Sequence, residues 1–249
     1  MSLIFGIALP HFGLILADTR LSMTLKNGVN KTNDNRPLDL ILPDGSKLSY
    51  GIKNRKFLQC KNGFAACGGH AIWGTSVLRK IAPSDLSKVP NIQATISSYY
   101  KEAKEKIASF IKESKDEIDR TSFLVINHLK SKACIHSLDS KGNKTPLNGN
   151  VYFYFPPDIN SEACGEYNKK LMEGFVSPTN IDDILHNIKL IVGIQNEISV
   201  ASQFVSSFAE IGLIIKGKDN KFTNKYLYWD TNQIDNFTKE YLVKSISNT

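Results

Sequence analysis

Cysteine is scarce in this 249-residue chain, and Cys60, Cys67, Cys134 and Cys164 stand apart with no CxxC pair among them. That spacing offers neither a zinc-ribbon ligand set nor a redox dithiol. The expectation is reduced thiols in a cytoplasmic protein, three of the four lying in apolar, strand-like runs. Histidine is equally thin: none of His11, His70, His128, His136 and His186 is paired at a metal-ligand spacing such as HExxH. Neither GxxxxGK[ST] nor GxGxxG occurs, so no glycine-rich cradle for a nucleotide phosphate is written in the sequence. No metal and no cofactor is expected.

Long apolar runs are missing as well. Runs such as Ile211 to Ile215 are strand-sized, against the roughly 20 residues needed to cross a bilayer. Pro10, His11 and Asp18 interrupt the N-terminal segment, which excludes the continuous apolar core of a secretory signal. No membrane partner is expected. With no repeat, low-complexity tract or long linker, residues 1–249 read as a single domain.

A hydrophobic content of 41% and a mean hydropathy of −0.22 suit a globular protein with a real core. The net charge is +7, from 31 basic against 24 acidic residues. The lysines are spread along the whole chain and no basic block is interleaved with aromatics, so a solvated surface is expected rather than a nucleic-acid partner.

Apolar segments from Leu3 to Leu9 and Leu14 to Asp18, joined at Pro10-His11-Phe12-Gly13, predict a hairpin. Residues 21–55 form a polar insertion, within which Leu38 to Leu42 and Lys47 to Ile52 flank the turn former Pro43-Asp44-Gly45. Lys56 to Cys60 and Phe64 to Cys67 flank Asn62-Gly63, a strong hairpin signal. A helix is predicted from Gly69 to Pro83, and a longer one on the stripe Ile92, Ile96, Tyr99, Ala103, Ile107, Phe110 and Ile111. Strands follow at Thr121 to His128 and Ala133 to Leu138. Helices are predicted from Glu166 to Phe175 and from Ile181 to Ile198, the second capped by Thr179 or Asn180. Strands at Ala209 to Ile215 and Lys225 to Trp229 and a helix from Gln233 to Val243 complete the order. Grouped strands and grouped helices do not alternate as a parallel sheet would require, so the class is α+β and layered.

Four motifs in order carry a resemblance. Gly13-Leu14-Ile15-Leu16-Ala17-Asp18-Thr19-Arg20 is similar to the Gly-(apolar)-Ala-Asp-Ser/Thr-Arg signature of proteasome subunits. Lys56-Phe57-Leu58 with Phe64-Ala65-Ala66-Cys67-Gly68-Gly69 resembles the lysine-bearing strand, hairpin and Gly-Gly helix start of the same family. Ser122 to His128 with Leu138-Asp139-Ser140-Lys141-Gly142 resembles its mid-chain hairpin and turn, and the C-terminal helices and strands continue in its order. The chain thus resembles the proteasome-type (20S β-subunit-like) N-terminal nucleophile, or Ntn, hydrolases. The resemblance implies a four-layer αββα sandwich of two antiparallel sheets flanked by helices. It also implies self-assembly into a homo-oligomeric ring and a peptide or amide substrate; whether an ATP-dependent partner belongs with it is not written in the sequence.

The family's nucleophile is the first residue of the mature chain, with its own α-amine as general base. The family's aspartate follows that residue by sixteen positions, and counting back from Asp18 gives Ser2, exposed by removal of Met1. Met1-Ser2-Leu3 is also the composition of an expression leader, and on that reading the nucleophile's position is open. The resemblance makes Lys56 the lysine that keeps the amine neutral, Asp18 and Arg20 its support, Gly68 the oxyanion donor and Gly69 the helix start. Two departures stand out. Glu166, in Cys164-Gly165-Glu166, takes the place of a supporting serine, and Ser202 or Gln203 takes the place of a supporting aspartate. The implied function is amide hydrolysis; the alternative is a catalytically inactive structural or binding subunit. Without the resemblance, Lys56 reads as an ordinary surface lysine beginning a strand.

Overall fold

The computed structural model describes residues 3–20, 22–25, 28–31, 38–41, 47–50, 56–110 and 118–247. The N-terminal hairpin is β1 (Ile4–Leu9) and β2 (Phe12–Asp18), paired antiparallel with Leu9 opposite Phe12. The turn is therefore Pro10-His11 alone, two residues shorter than the sequence suggests, because Phe12 and Gly13 continue the ladder against both neighbouring strands. Two short ladders follow in the polar insertion, β3 (Ser22–Leu25) with β4 (Gly28–Lys31), and β5 (Leu38–Ile41) with β6 (Lys47–Tyr50). The second is the hairpin expected around Pro43-Asp44-Gly45, a turn that lies outside the described residues.

Next come β7 (Phe57–Cys60), β8 (Gly63–Gly68), α1 (Ala71–Ile81) and α2 (Val89–Phe110), then β9 (Ser122–His128), β10 (Ala133–Asp139) and β11 (Val151–Tyr154). The C-terminal part holds α3 (Ser161–Gly174), α4 (Ile181–Ala201), β12 (Phe208–Lys216), β13 (Phe222–Asp230), a 3-10 turn at Thr231–Asn236, and α5 (Lys239–Ser247). Asn180 caps α4 through a capping box with Asp183, which satisfies N–H groups the helix cannot pair internally.

All strand pairings among the described residues are antiparallel. One sheet runs β11-β1-β2-β12-β13 and the other β10-β9-β8-β7. The alternation of strand side chains sorts the core into three layers. Ile15 and Ala17 of β2 face the other sheet and meet Phe57, Phe64, Leu124 and Ile126. Leu14 and Leu16, one residue out of phase, face Ile188, Ile191 and Val192 of α4. On the far side Cys67, Phe123 and Val125 pack against Trp73, Val77 and Ile81 of α1 and Ile92 and Ile96 of α2. Both faces of β2 are covered, which explains why it reads as a nearly continuous apolar run and not as alternation. The architecture is the expected α+β sandwich, with helix layers outside two antiparallel sheets. No helix among the described residues is long and apolar enough to cross a membrane.

Three local expectations are corrected. Strand β11 carries no turn-bounded alternating run and is absent from the sequence reading; it forms by pairing with β1, Ile4 opposite Tyr154. Helix α3 starts at Ser161, five residues before Glu166, because the Asn160 side chain accepts the Ala163 N–H at 2.8 Å and caps it there. The C-terminal helix is broken between Asn236 and Lys239, where buried Phe237 leaves helical geometry and packs on Trp229 and Tyr241.

Candidate functional site

Asp18 ends β2, opposite Ala209 of β12, and is fully buried. A carboxylate withdrawn from water needs donors on its lone pairs and a counter-charge. It has both. Leu3 N–H donates to Oδ2 at 2.8 Å and Arg20 N–H to Oδ1 at 2.9 Å. Lys56 Nζ donates to the two oxygens at 3.1 and 3.2 Å, and its side chain is only 3% exposed. Lys56 immediately precedes β7, and its carbonyl accepts the Cys67 N–H at 2.8 Å. The ion pair therefore ties the two sheets together at one end of the space between them, beside Leu3, where β1 begins.

Gly68 and Gly69 close β8 at the same end. A Cβ on Gly68 would lie 2.7 Å from the Tyr154 ring and 3.1 Å from Ile4, so β1 and β11 approach the backbone there directly. Gly69 has φ +108°, a conformation that L side chains rarely adopt, and a Cβ on it would meet Thr121 Cα at 2.5 Å. The next residue, His70, caps α1: its N–H donates to Thr121 Oγ1 at 2.9 Å and its Nδ1 accepts the Trp73 N–H at 3.2 Å. Burial pushes the His70 pKa down to about 4, and the positive amino terminus adds to the effect. Cys67 is buried under Gly74 of α1, and burial pushes its thiol up to about 12, which makes it a packing residue and not a nucleophile.

A second set of contacts braces Asp18 from behind. Arg20 reaches Asp18 through its backbone, while its guanidinium Nη1 donates to the Gln203 carbonyl at 3.1 Å. Gln203 N–H and Ser202 Oγ–H both donate to Asp158, at 3.0 and 2.7 Å. Thr19 N–H donates to Ser206 Oγ at 3.2 Å, and Gln195 Nε2 fixes that loop through the Ser206 and Phe208 carbonyls at 3.1 and 2.9 Å.

The structure thus brings Asp18, Lys56, Gly68, Gly69 and the Arg20 backbone to one end of the two sheets. Glu166 is placed elsewhere: Cys164-Gly165-Glu166 lies within α3 and not at a strand end, and Glu166 is solvent-exposed with no hydrogen bond to Asp18 or Lys56 among the described residues. The carboxylate that meets Ser202 and Gln203 comes instead from Asp158, in the loop between β11 and α3, which the sequence reading missed. Its one local signal is the Pro156-Pro157 stop just before it. Ser2 lies outside the described residues. No three His, Cys, Asp or Glu side chains gather into a metal-binding group among the described residues.

No protein-family model matches the sequence, and a search of curated proteins gives no match. Solved structures do match. Anbu, described as an ancestral beta-subunit, from Yersinia bercovieri is similar at a TM-score of 0.55 and 9% identity, over 99% of this chain and 97% of that one. An Anbu Gly-1 mutant from Hyphomicrobium sp. strain MC1 is similar at 0.52 and 12%, over 100% and 98%. Eukaryotic HslV from Trypanosoma brucei is matched at 0.44 and 11%, over 85% and 98%. At such identities the first two matches speak for the fold alone, and with the two-sheet, two-helix-layer topology they give this chain a proteasome-like fold of the Ntn type.

Proposed function

We propose that the chain is an amide-bond hydrolase whose nucleophile is Ser2, made N-terminal by removal of Met1. The observation that carries this reading is the buried Asp18 carboxylate, which binds Lys56 Nζ on one side and the N–H of Leu3, the residue bonded to Ser2, on the other.

The chemistry needs little more. An α-amine has an unperturbed pKa of roughly 7.7–8.0, so it can act as a base near neutrality. The Lys56 ammonium disfavours a second positive charge beside it and keeps the amine neutral. The amine takes the Ser2 hydroxyl proton as Oγ bonds to the substrate carbonyl carbon. A backbone N–H of the Gly68-Gly69 turn is the donor for the oxyanion that develops. The C–N bond then breaks, the proton passes to the departing amine, and an ester is left on Ser2. Water, deprotonated by the same amine, hydrolyses the ester and restores the free hydroxyl. Asp18 orients Lys56, and Arg20 holds the strand end. Assembly into a ring of identical copies, a peptide substrate and a cytoplasmic setting belong to the same proposal.

Intact-mass analysis and N-terminal sequencing of untagged protein made from its native start codon test it, together with fluorogenic peptide hydrolysis. A free Ser2 with peptide turnover abolished in Ser2→Ala is the expected result. A retained Met1 overturns it. That outcome favours the second reading, an inactive structural subunit, for which the observation is that the loop after α4 offers the uncharged Gln203 and Ser202, both already bonded to Asp158.

A further inference from the structure

Asn-Gly occurs at Asn27-Gly28, Asn62-Gly63 and Asn148-Gly149. Asn27 lies outside the described residues. Glycine after asparagine has no Cβ to shield its backbone nitrogen from the neighbouring side-chain amide. That nitrogen reacts only where the backbone is unpaired and the amide is free to swing onto it, and the other two pairs differ on both counts.

Asn62-Gly63 is locked. The Asn62 Nδ2–H donates to Asp85 Oδ1, and the Asn62 carbonyl accepts the His128 N–H at 3.0 Å. Gly63 is paired on both sides, with Cys60 of β7 and Asn127 of β9. A Cβ on it would fall 2.0 Å from the Ile126 carbonyl oxygen. Asn148-Gly149 is open. Both residues are exposed, in the turn that leads into β11. The Asn148 side chain and the Gly149 N–H make no hydrogen bond among the described residues. Nothing lies within 4 Å of where a Gly149 Cβ would stand.

We propose that Asn148 is a modification site, converting to aspartate and isoaspartate through a cyclic imide with Gly149, while Asn62 is spared. The Gly149 nitrogen gives its proton to hydroxide and bonds to Asn148 Cγ. The Cγ–Nδ2 bond breaks and ammonia leaves with a proton from water, which returns the hydroxide. Water then opens the imide. Cleavage between the Gly149 nitrogen and Cγ gives aspartate. Cleavage between that nitrogen and the Asn148 main-chain carbonyl carbon gives isoaspartate, with the main chain now running through Cγ. Either product adds a negative charge. Isoaspartate also adds a methylene to the turn that sets β11 against β1, where the Asn150 carbonyl accepts the Ala8 N–H at 3.1 Å and Val151 stands opposite Ile7. Among the described residues β11 is an edge strand paired with β1 alone, so it is the element that the extra length loosens.

The test is site-resolved peptide mapping of the full chain held in warm, mildly alkaline buffer, folded and in urea. In the folded protein, conversion at Asn148 is expected to outpace that at Asn62 by about 10-fold or more, because Asn62 reacts only from an opened hairpin. In urea the two are expected to convert within about twofold of each other, since neither turn then persists. Asn148→Gln is expected to melt with the wild type and to remove the acidic species that arises from this turn. Isoaspartate is read by methylation with an isoaspartyl carboxyl methyltransferase. Folded-state conversion at Asn148 no faster than at Asn62 overturns the proposal. The β11 amides are expected to exchange hydrogen faster in the isoaspartate form than in Asn148→Asp, which carries the charge without the extra length. Equal exchange in the two overturns the loosening of β11.

Discussion

Lys56 Nζ lies 3.1 and 3.2 Å from the two Asp18 oxygens, and the pair joins residues 38 positions apart, one from each sheet. Breaking a buried pair from one side strands the other charge, at a cost of about 3–5 kcal/mol. Lys56→Ala and Lys56→Met are therefore both expected to lose stability of that order in urea unfolding at pH 7. Lys56→Met keeps most of the volume, so a similar loss in both points to charge and not to packing. Lys56→Met/Asp18→Asn is expected to recover part of it, since no buried charge is left over. Wild-type stability in Lys56→Ala would contradict the burial of the pair.

Gly69→Ala combines backbone strain at φ +108° with a Cβ 2.5 Å from Thr121 Cα. No side-chain movement relieves a clash with backbone. The expected cost is about 2 kcal/mol or more, read as a Tm lower by roughly 4–8 °C. Gly165→Ala is the control: a Cβ there meets nothing within 4 Å in the middle of α3. It is expected to raise stability by about 0.4–1 kcal/mol. A Gly69→Ala protein that melts with the wild type would rule out the turn described here.

The His70 pKa of about 4 lies below its ordinary value of 6.5. Between pH 6.5 and 4 the unfolded chain binds a proton at this residue that the folded protein does not. Linkage then makes stability rise with pH across that window. The contribution is fully present above pH 6.5 and is lost as pH falls toward 4, by up to about 3 kcal/mol. His70→Ser removes the titrating group, so its stability is expected to fall less steeply over the same window. Parallel pH-stability curves for the two proteins would refute the assignment.

Asp158→Ala removes the acceptor for both Ser202 Oγ–H and Gln203 N–H. Asp158 is exposed, so water replaces part of the loss and the stability cost is expected near 1 kcal/mol. The sharper readout is hydrogen exchange: the Gln203 amide is expected to exchange faster in Asp158→Ala, while Leu3, held by Asp18, keeps its protection. Unchanged Gln203 exchange would show that the bond contributes nothing in solution.

Much of this protein is set by short-range pattern. The apolar run from Leu14 to Ala17, Asn62-Gly63 and the Asn180–Asp183 capping box are signals written within a few residues, and the strands, turn and helix they predict are present. The order of these elements alone is enough for an α+β layered class, and the family resemblance nominates Asp18, Lys56 and Gly68. What the chain folds together across distance was not written locally. Strand β11 exists because Ile4 offers it an edge. Asp158 and Ser202 are 44 residues apart, and His70 and Thr121 are 51 apart. A carboxylate in a proline-bounded loop and a histidine at a helix start look ordinary in one dimension. Only when two sheets and a capped helix meet does burial decide which polar atoms must find partners, as the Asp18 carboxylate finds Lys56 and the Leu3 N–H.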